Sequence, residues 1–381
     1  MTPCHQVNLQ TGWGGGEVYT AFLTRALLAL GIPTTLYVNP DNPHWATRLP
    51  AACRIVPVRD LAAIAGQLAA PPCWLLFHTP AREEAARPLR LAGHFLSAIA
   101  HMPLTGRDPA PLRHYDLVYA VSAHVADSLR AAGIQQVHPE PLWGVADLAG
   151  RGGDPATPLH AASPYDWDLR KGRDRLLSWL YPLYAAVKPA RRYTRAPGIT
   201  LGVVSRLTPI KQFPLLFRHL APVLARHPGF NLEIFGAGGY ASVRDLRRAL
   251  RPLRGRVRFW GQQREVGTVY REIDYLLAGL PEKEALGLNV LEAQACGTPV
   301  LAVDARPFRE TVAEDVTGLF YADPRTDGGA SFAKLLDRLG TTPFRIVPES
   351  ASKHMEQFSE AAFTRRIARL AEATAAALPN R

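Results

Sequence analysis

Cysteines and long apolar runs are both scarce in this chain. Its 381 residues include 4 cysteines, and their positions show no paired spacing typical of a zinc site or a disulfide framework. We therefore expect free, reduced thiols and no metal site. The sequence has no apolar run of about eighteen residues or more, the length that predicts a membrane-spanning helix. The cysteines are Cys4, Cys53, Cys73 and Cys296.

The first residues, MTPCHQVNLQTGW, lack the basic-then-apolar layout of a secretory signal peptide. Together with the expected reduced thiols, this favours a cytoplasmic protein.

Acidic residues are outnumbered by basic ones. The chain has 33 Asp and Glu against 44 Lys and Arg, which gives a net charge of +11. Such a balance suits nucleic acid, anionic lipid or anionic substrates. Nucleic acid is the weakest of these, because the sequence has neither zinc-finger spacing nor an RNA-binding aromatic signature.

The first half of the chain predicts an α/β domain. A strand at Val7–Leu9 leads into a glycine-rich turn at residues 12–16, then a helix, then a strand at Thr34–Val38. This is a βαβ unit, which is normally parallel and right-handed. The turn matches neither the GxGxxG fingerprint nor a P-loop. Its glycines serve either a tight turn alone or the close approach of a ligand to the backbone.

Three apolar strands in this half each end in a polar residue. They are predicted at residues 74–77, 95–100 and 115–121, and the polar residues that end them are His78, His101 and Ser122. Ligands bind at the carboxyl ends of strands in open α/β sheets. A functional role is therefore expected for at least one of the two histidines.

Residues 165–195 do not fit the α/β pattern. An aromatic and apolar cluster around Trp179 lies between two groups of Arg and Lys. It is either a helical arm packed between domains, which we favour, or a segment that lies on an anionic membrane surface.

The second half, from Ile199, repeats the alternation of strands and helices and predicts a second parallel sheet. Glycine-rich turns again follow its strands. Residues 281–300, PEKEALGLNVLEAQACGTPV, place Glu284 and Glu292 eight residues apart at the start of a helix. A helix start offers free N–H groups to an anion, and the carboxylates can accept hydrogen bonds from sugar hydroxyls. On spacing alone, a solvated acidic loop is an equal alternative.

The motifs SRLTPIK, IFGAGG, the E-x7-E pair, RETV and TGLFY resemble, in order and spacing, those of glycosyltransferase family 4. In the first half, GWGGGEVYTAFLTRALLALGI, AVSAHVADSLRAAGI and PLWGVAD resemble this family too. Residues 151–198 have no counterpart in it. Ala285, where a glycine is frequent, and Ala146 within the Gly-Val-Asp turn depart mildly from its motifs.

This resemblance implies a GT-B fold, in which two Rossmann-like, doubly wound α/β domains face each other across a cleft. The expected boundaries are an acceptor-binding domain at 1–150, an interdomain arm or insertion at 151–198, and a nucleotide-sugar-binding domain at 199–355. A C-terminal helix at about 356–381 is expected to pack back on the first domain.

The resemblance also implies a retaining, metal-independent glycosyltransferase of hexosyltransferase type, with no cofactor and with a UDP- or GDP-sugar as co-substrate. The residues expected to act in catalysis are Glu284, His101, Arg206 and Lys211. The residues expected to bind the donor are Gly15, Gly16, Arg206, Lys211, Gly236, Glu284, Ala285, Leu286, Gly287, Leu288 and Glu292, and those expected at the acceptor are His78 and His101.

The expected partners are a nucleotide sugar, a glycan or lipid-linked acceptor from envelope or exopolysaccharide synthesis, and the anionic inner face of the cytoplasmic membrane. Two alternatives are open. One is a GT-B glycoside phosphorylase, and the other is a non-catalytic scaffold that binds sugar nucleotides or lipid.

Overall fold

The computed structural model describes residues 2–68, 72–146, 157–167, 172–187 and 191–378. The chain divides into two compact units. The first unit combines Met1–Val145 with Glu356–Arg381, and the second is Ala146–Met355.

The first unit is built on a parallel sheet. Within the described residues its six strands run in the order β3-β2-β1-β4-β5-β6. Every neighbouring pair is parallel. The strands are β1 (Cys4–Asn8), β2 (Thr34–Val38), β3 (Arg54–Pro57), β4 (Trp74–Phe77), β5 (Phe95–Ala100) and β6 (Leu117–Ala120).

Helices cover this sheet because each buries one apolar face against it. The first helix buries Phe22, Leu23, Ala26 and Leu27, and the pairs Phe22–Ala26 and Leu23–Leu27 are each four positions apart and therefore on one side. The last helix of the chain also belongs to this unit, and Thr374 accepts or donates a 2.9 Å hydrogen bond with the hydroxyl of Tyr119. The helices are α1 (Gly15–Ala29), α2 (Ala62–Ala65), α3 (Glu83–Leu91), α4 (Ala123–Ala131) and α14 (Glu360–Ala377).

The second unit has the same architecture. Its six strands, again among described residues, run in the order β12-β11-β10-β7-β8-β9, and all neighbours are parallel. The strands are β7 (Ile199–Val204), β8 (Phe230–Phe235), β9 (Val257–Gly261), β10 (Tyr275–Leu277), β11 (Val300–Val303) and β12 (Gly318–Tyr321).

A large apolar cluster fills the space between this sheet and the helices on one face, and a second cluster fills the other face. The described helices of this unit are α5 (Gly172–Val187), α6 (Phe213–Ala225), α7 (Tyr240–Ala249), α8 (Val266–Glu272), α9 (Leu288–Ala295), α10 (Arg306–Arg309), α11 (Pro324–Asp327), α12 (Ala330–Thr341) and α13 (Pro348–Glu356).

In both sheets the strand order reverses once. The reversal lies between β1 and β4 in the first unit and between β7 and β10 in the second. Each sheet thus has the 3-2-1-4-5-6 order of a Rossmann fold, whose ligands bind beyond the carboxyl ends of the strands at the reversal. The predicted fold class, with two doubly wound α/β sheets, is confirmed.

Two elements differ from the sequence prediction. The C-terminal helix expected at about 356–381 begins four residues later, because α13 ends at Glu356 and α14 starts at Glu360 after its N-cap Ser359. The hydroxyl of Ser359 accepts from the N–H of Ala362 and fixes that start. The predicted boundary at residues 151–158 falls mainly on residues outside the described ranges, and the compact units meet between Val145 and Ala146.

Candidate functional site

An ion pair joins the ends of the two strands at the reversal of the second sheet. Lys211 closes a short turn after β7, and Glu284 lies in the loop after β10. The Nζ of Lys211 donates to Oε2 of Glu284 at 2.7 Å. Two residues that are distant in the sequence therefore meet because β7 and β10 are neighbours.

The second carboxylate oxygen of Glu284 also accepts hydrogen bonds. Oε1 accepts from the N–H of Ala285 at 3.3 Å and from that of Gly287 at 3.1 Å. Glu284 is only 8% exposed, and this burial is tolerated because the carboxylate has three hydrogen-bond donors. The loop conformation requires Gly287, whose φ of 77° lies in the left-handed region.

Helix α9 begins directly after this loop. Among the described residues, the N–H groups of Leu286 and Leu288 have no hydrogen-bond acceptor, as expected at a helix start. The N–H of Gly287 was expected to be available as well, but it donates to Glu284. The positive end of the helix thus offers the N–H groups of Leu286 and Leu288 to an anion.

Glu292 lies one helical turn further along α9. Its Oε2 accepts a 2.9 Å hydrogen bond from the hydroxyl of Tyr270, a fully buried residue of α8. Tyr270 is fixed in turn by the hydroxyl of Thr298, which donates to its carbonyl oxygen at 2.7 Å. No sequence motif indicates this tyrosine, because its contact with Glu292 depends on how α8 packs on α9.

Asn289 was also missed. Its side-chain amide donates to the carbonyl oxygen of Val204 at 3.1 Å. Since Val204 ends β7, this bond ties the start of α9 to the strand that precedes Lys211.

Arg206 lies at the same strand end as Lys211 but is exposed, and it forms no ion pair with a described residue. The neighbour of Arg206, Ser205, explains why residue 236, which was predicted to bind the donor, is a glycine. At Gly236, with φ of 151°, an added Cβ would lie 1.9 Å from the carbonyl oxygen of Ser205. Packing between the two loops therefore requires glycine at this position, whether or not a ligand binds.

In the first unit, the glycine-rich turn ends at the start of α1. Gly14 is the N-cap and provides no side-chain hydrogen bond, and Gly15 and Gly16 are the first helical residues. An added Cβ at Gly16 would meet nothing within 4 Å. This helix start is therefore open, and internal packing does not demand a glycine at position 16.

His78 and His101 are brought together, with stacked rings whose centroids are 5.8 Å apart. Burial lowers the pKa of His101 to about 4. Burial, and then the neighbouring His101, hold the pKa of His78 well below its usual range. Both imidazoles are therefore neutral at pH 7.

The proton of His78 can be placed from its neighbours. Thr24 donates its hydroxyl to the carbonyl of Thr20, so its oxygen accepts from the amide nitrogen of Gln6 at 2.9 Å. The amide oxygen of Gln6 then faces Nε2 of His78 at 2.8 Å, which makes Nε2 the protonated nitrogen. Nδ1 of His78 and Nε2 of His101 are buried without a partner among the described residues.

No disulfide bond joins any of the four cysteines, all of which lie within the described ranges. Burial raises the pKa of both Cys53 and Cys296 to about 11. Within the described ranges, no cluster of three or more His, Cys, Asp or Glu side chains could hold a metal ion. The same part of the chain contains no helix that is long and apolar enough to cross a membrane.

Residues 194–363, which make up most of the second unit, match the family described as glycosyl transferases group 1. The chain is 35% identical over 176 residues to a D-inositol 3-phosphate glycosyltransferase of Rhodococcus erythropolis. That alignment covers 43% of this chain and 39% of the relative, so the chain matches well under half of that relative's length. A protein of the same name from Frankia alni is 29% identical over 376 residues, or 87% of this chain and 86% of the relative.

Solved structures share the fold across both units. Anabaena Alr3699/HepE in complex with UDP-glucose has a TM-score of 0.69 at 16% identity, and the match covers 98% of this chain and all of that one. Sucrose-phosphate synthase from Thermosynechococcus elongatus has a TM-score of 0.70 at 17% identity, over 99% and 100% of the two chains. With its two Rossmann-type sheets and these matches, the chain has the GT-B fold, and its residues 194–363 match the glycosyl transferases group 1 family, which is glycosyltransferase family 4.

Proposed function

We propose that this protein is a retaining hexosyltransferase, which moves a sugar from a nucleoside-diphosphate sugar to a hydroxyl acceptor. The observation that carries the proposal is the Lys211–Glu284 pair beside the start of α9. It combines a cation, two free N–H groups and carboxylates at the strand-order reversal, where ligands of Rossmann folds bind.

The cationic half of this arrangement suits a diphosphate. Departure of a nucleoside diphosphate is the costly event in glycosyl transfer, because negative charge builds up on the leaving oxygen. Lys211, the exposed Arg206 and the N-terminus of α9 can stabilise that charge. Such a site needs no metal ion to neutralise the phosphates.

The anionic half suits sugar hydroxyls. We assign Glu292, which Tyr270 holds, to the ribose of the donor nucleotide, and Glu284 to the donor sugar. Glu284 is a poor nucleophile because both of its oxygens already accept hydrogen bonds. We therefore assign no protein nucleophile, and the acceptor hydroxyl attacks from the face that the phosphate leaves, with that phosphate as base.

In the first unit, the neutral pair His78 and His101 is assigned to the acceptor, and the open helix start at Gly15 and Gly16 to the approach of substrate. Neutral imidazoles can orient a hydroxyl group through hydrogen bonds without adding charge.

For the acceptor we propose a glycan or lipid-linked hydroxyl of envelope or exopolysaccharide synthesis, used by a cytoplasmic protein that associates peripherally with the inner face of the membrane. The net charge of +11 supports an anionic surface or acceptor. A second candidate acceptor is D-inositol 3-phosphate, which the names of the relatives support and which is also anionic.

Ligand-dependent thermal shift tests the donor. UDP-glucose is the first compound to try, because the similar Anabaena protein was solved with it, and GDP- and ADP-sugars follow. A donor that binds the folded state raises its Tm. Glu292→Ala should abolish the shift and lower kcat/KM, and unchanged values would remove Glu292 from the site.

Two further measurements separate the alternatives. Activity on a glycoside and free phosphate in the absence of nucleotide would indicate a phosphorylase. Nucleotide release that requires an acceptor would exclude a scaffold that only binds. An acceptor panel with inositol 3-phosphate and membrane-extracted glycolipid then distinguishes the two candidate acceptors.

A further inference from the structure

Helix α5 exposes an apolar stripe. Leu176, Trp179, Leu180 and Leu183 are 57%, 71%, 41% and 64% exposed. Their spacing of three, one and three residues places them on one side of the helix, since about 3.6 residues make a turn. Side chains of this size are normally buried when they are grouped.

The opposite side of α5 is anchored to the second unit. Asp174 is buried, and the ring of Tyr181 lies 6.1 Å from that of Trp167. Asp174 and Tyr181 are seven residues apart, so they share a face that points away from the stripe. The stripe therefore faces outward because its helix is held by the other side.

Arginines lie along both edges of the stripe. Arg173 and Arg175 are both exposed. At about 100° per residue, Arg173, three positions before Leu176, lies at one edge of the stripe, and Arg175, one position before it, lies at the other edge. The guanidinium of Arg173 lies 4.6 Å from the ring centroid of Tyr240 on α7. This contact connects α5 to α7, beside which lies a basic cavity.

The basic cavity beside α7 is small, with a volume of about 230 Å³. No carboxylate lines it. Its walls are the rings of Tyr165 and Tyr240, which stack at 5.9 Å, and four arginines. Guanidinium groups bind phosphate through paired hydrogen bonds, so the cavity suits a phosphate group. The lining residues are Tyr165, Tyr240, Arg244, Arg247, Arg248 and Arg251.

We propose that the α5 stripe and the α7 arginine cavity together form a docking surface for an anionic lipid bilayer. The tryptophan and leucines enter the boundary between headgroups and acyl chains, while the arginines bind lipid phosphates. Apolar insertion and anionic attraction are the two contributions that stable peripheral binding needs. With 16 residues and a charged first turn, α5 lies on a membrane and does not span one.

A bilayer explains both features better than a nucleic acid. A polyanion in water would use the arginines, but it would leave the leucines of the stripe exposed. A packed arm would explain the face of α5 that carries Asp174 and Tyr181. It would not explain the opposite face, where the apolar stripe contacts no described residue that buries it.

The test is co-sedimentation of the full chain with vesicles, without donor or acceptor. Neutral phosphatidylcholine vesicles are compared with vesicles that contain phosphatidylglycerol. We expect binding to the anionic vesicles alone. Trp179→Ser with Leu183→Ser should weaken it at least tenfold, and Arg248→Gln with Arg251→Gln should weaken it and reduce its salt dependence.

The control is Leu91→Ser, which changes a residue that is 77% exposed on α3 of the first unit and should bind like the wild type. Glycosyl transfer to a water-soluble acceptor should be unchanged in the stripe variant, so failure of vesicle binding and failure of catalysis can be told apart. Circular dichroism melting checks that each variant folds.

Several results would overturn the proposal. Wild-type protein that stays in solution with anionic vesicles would do so, as would a stripe variant that binds like the wild type. Complete release by inorganic phosphate at low concentration would show that the cavity takes free phosphate. RNA binding without vesicle binding, or loss of a dimer in the stripe variant without vesicle binding, would assign the surface to another macromolecule.

Discussion

Lys211 and Glu284, 73 positions apart in the sequence, form a 2.7 Å ion pair beyond the neighbouring strands at which the second sheet reverses its order. Lys211 is the more exposed partner, with a quarter of its side chain accessible against a tenth for Glu284. The ammonium group therefore has a buried carboxylate on one side and solvent on the other, where a diphosphate can approach.

Lys211→Ala should lower kcat/KM for the nucleotide sugar by about a hundredfold to a thousandfold, because one donor to the leaving phosphate is lost. The folded state should survive, since Oε1 of Glu284 keeps both backbone donors. Steady-state kinetics checks the loss. Lys283→Ala is the matched control, as Lys283 is exposed in the same loop, and equal losses in both variants would refute the assignment to Lys211.

Tyr270→Phe tests the support of Glu292. Losing one hydrogen bond of about 1 kcal/mol should raise the donor KM severalfold, while kcat changes little because the sugar itself is not contacted.

The control for Tyr270 is Tyr275→Phe on β10. Its hydroxyl accepts from the N–H of Phe344 and donates to the carbonyl of the same residue. This variant should lose as much stability as Tyr270→Phe or more and leave the donor KM unchanged. A donor KM that rises equally in both variants would mean that general destabilisation, and not Glu292, sets it.

Gly236→Ala tests whether packing against Ser205 or binding of the donor requires the glycine at this position. An added Cβ would lie 1.9 Å from the carbonyl oxygen of Ser205, so we expect a loss of at least about 2 kcal/mol in the free energy of unfolding, measured by urea denaturation. At Gly239 a Cβ meets nothing within 4 Å, and its φ is −60°, so Gly239→Ala should change stability by less than about 1 kcal/mol. Unaltered stability in Gly236→Ala, with donor binding lost, would favour a purely ligand-binding role.

The central strands could be predicted from the sequence because burial on both faces demands continuous apolar runs. Trp74–Phe77 and Phe95–Ala100 were predicted with the bounds that the structure shows. The edge strand Arg54–Pro57 was missed, because its two end residues are exposed and only its two central residues are half-buried, so it forms no long apolar run.

The candidate site was predictable only where a motif is local. Glu284 and Glu292 fall within the twenty residues 281–300, and Lys211 ends the motif SRLTPIK. The resemblance to a known family could therefore identify all three. Tyr270 and Gln6 could not be found this way, since each meets its partner through the packing of separate elements. Gly236 was assigned to a ligand for the same reason, because the approach of Ser205 is a tertiary contact.

The buried histidines should make stability depend on pH. In the unfolded chain each imidazole takes up a proton near pH 6.5, whereas burial lowers the pKa of His101 to about 4 and that of His78 also falls well below its usual range. The unfolded state therefore binds more protons between about pH 6.5 and 4, so the free energy of unfolding falls as the pH drops through this window. Each group contributes up to about 1.4 kcal/mol per pH unit.

Urea unfolding between pH 7.5 and about 4.5 measures this slope. His101→Asn should flatten it, since the variant has no proton to take up at this position, and the difference from the wild type cancels the contribution of other groups. His138→Asn, which changes a histidine elsewhere in the same unit, is the control. Parallel pH profiles for the wild type and His101→Asn would mean that His101 is protonated as easily in the folded protein as in the unfolded chain, and a neutral His101 at the acceptor would then be untenable.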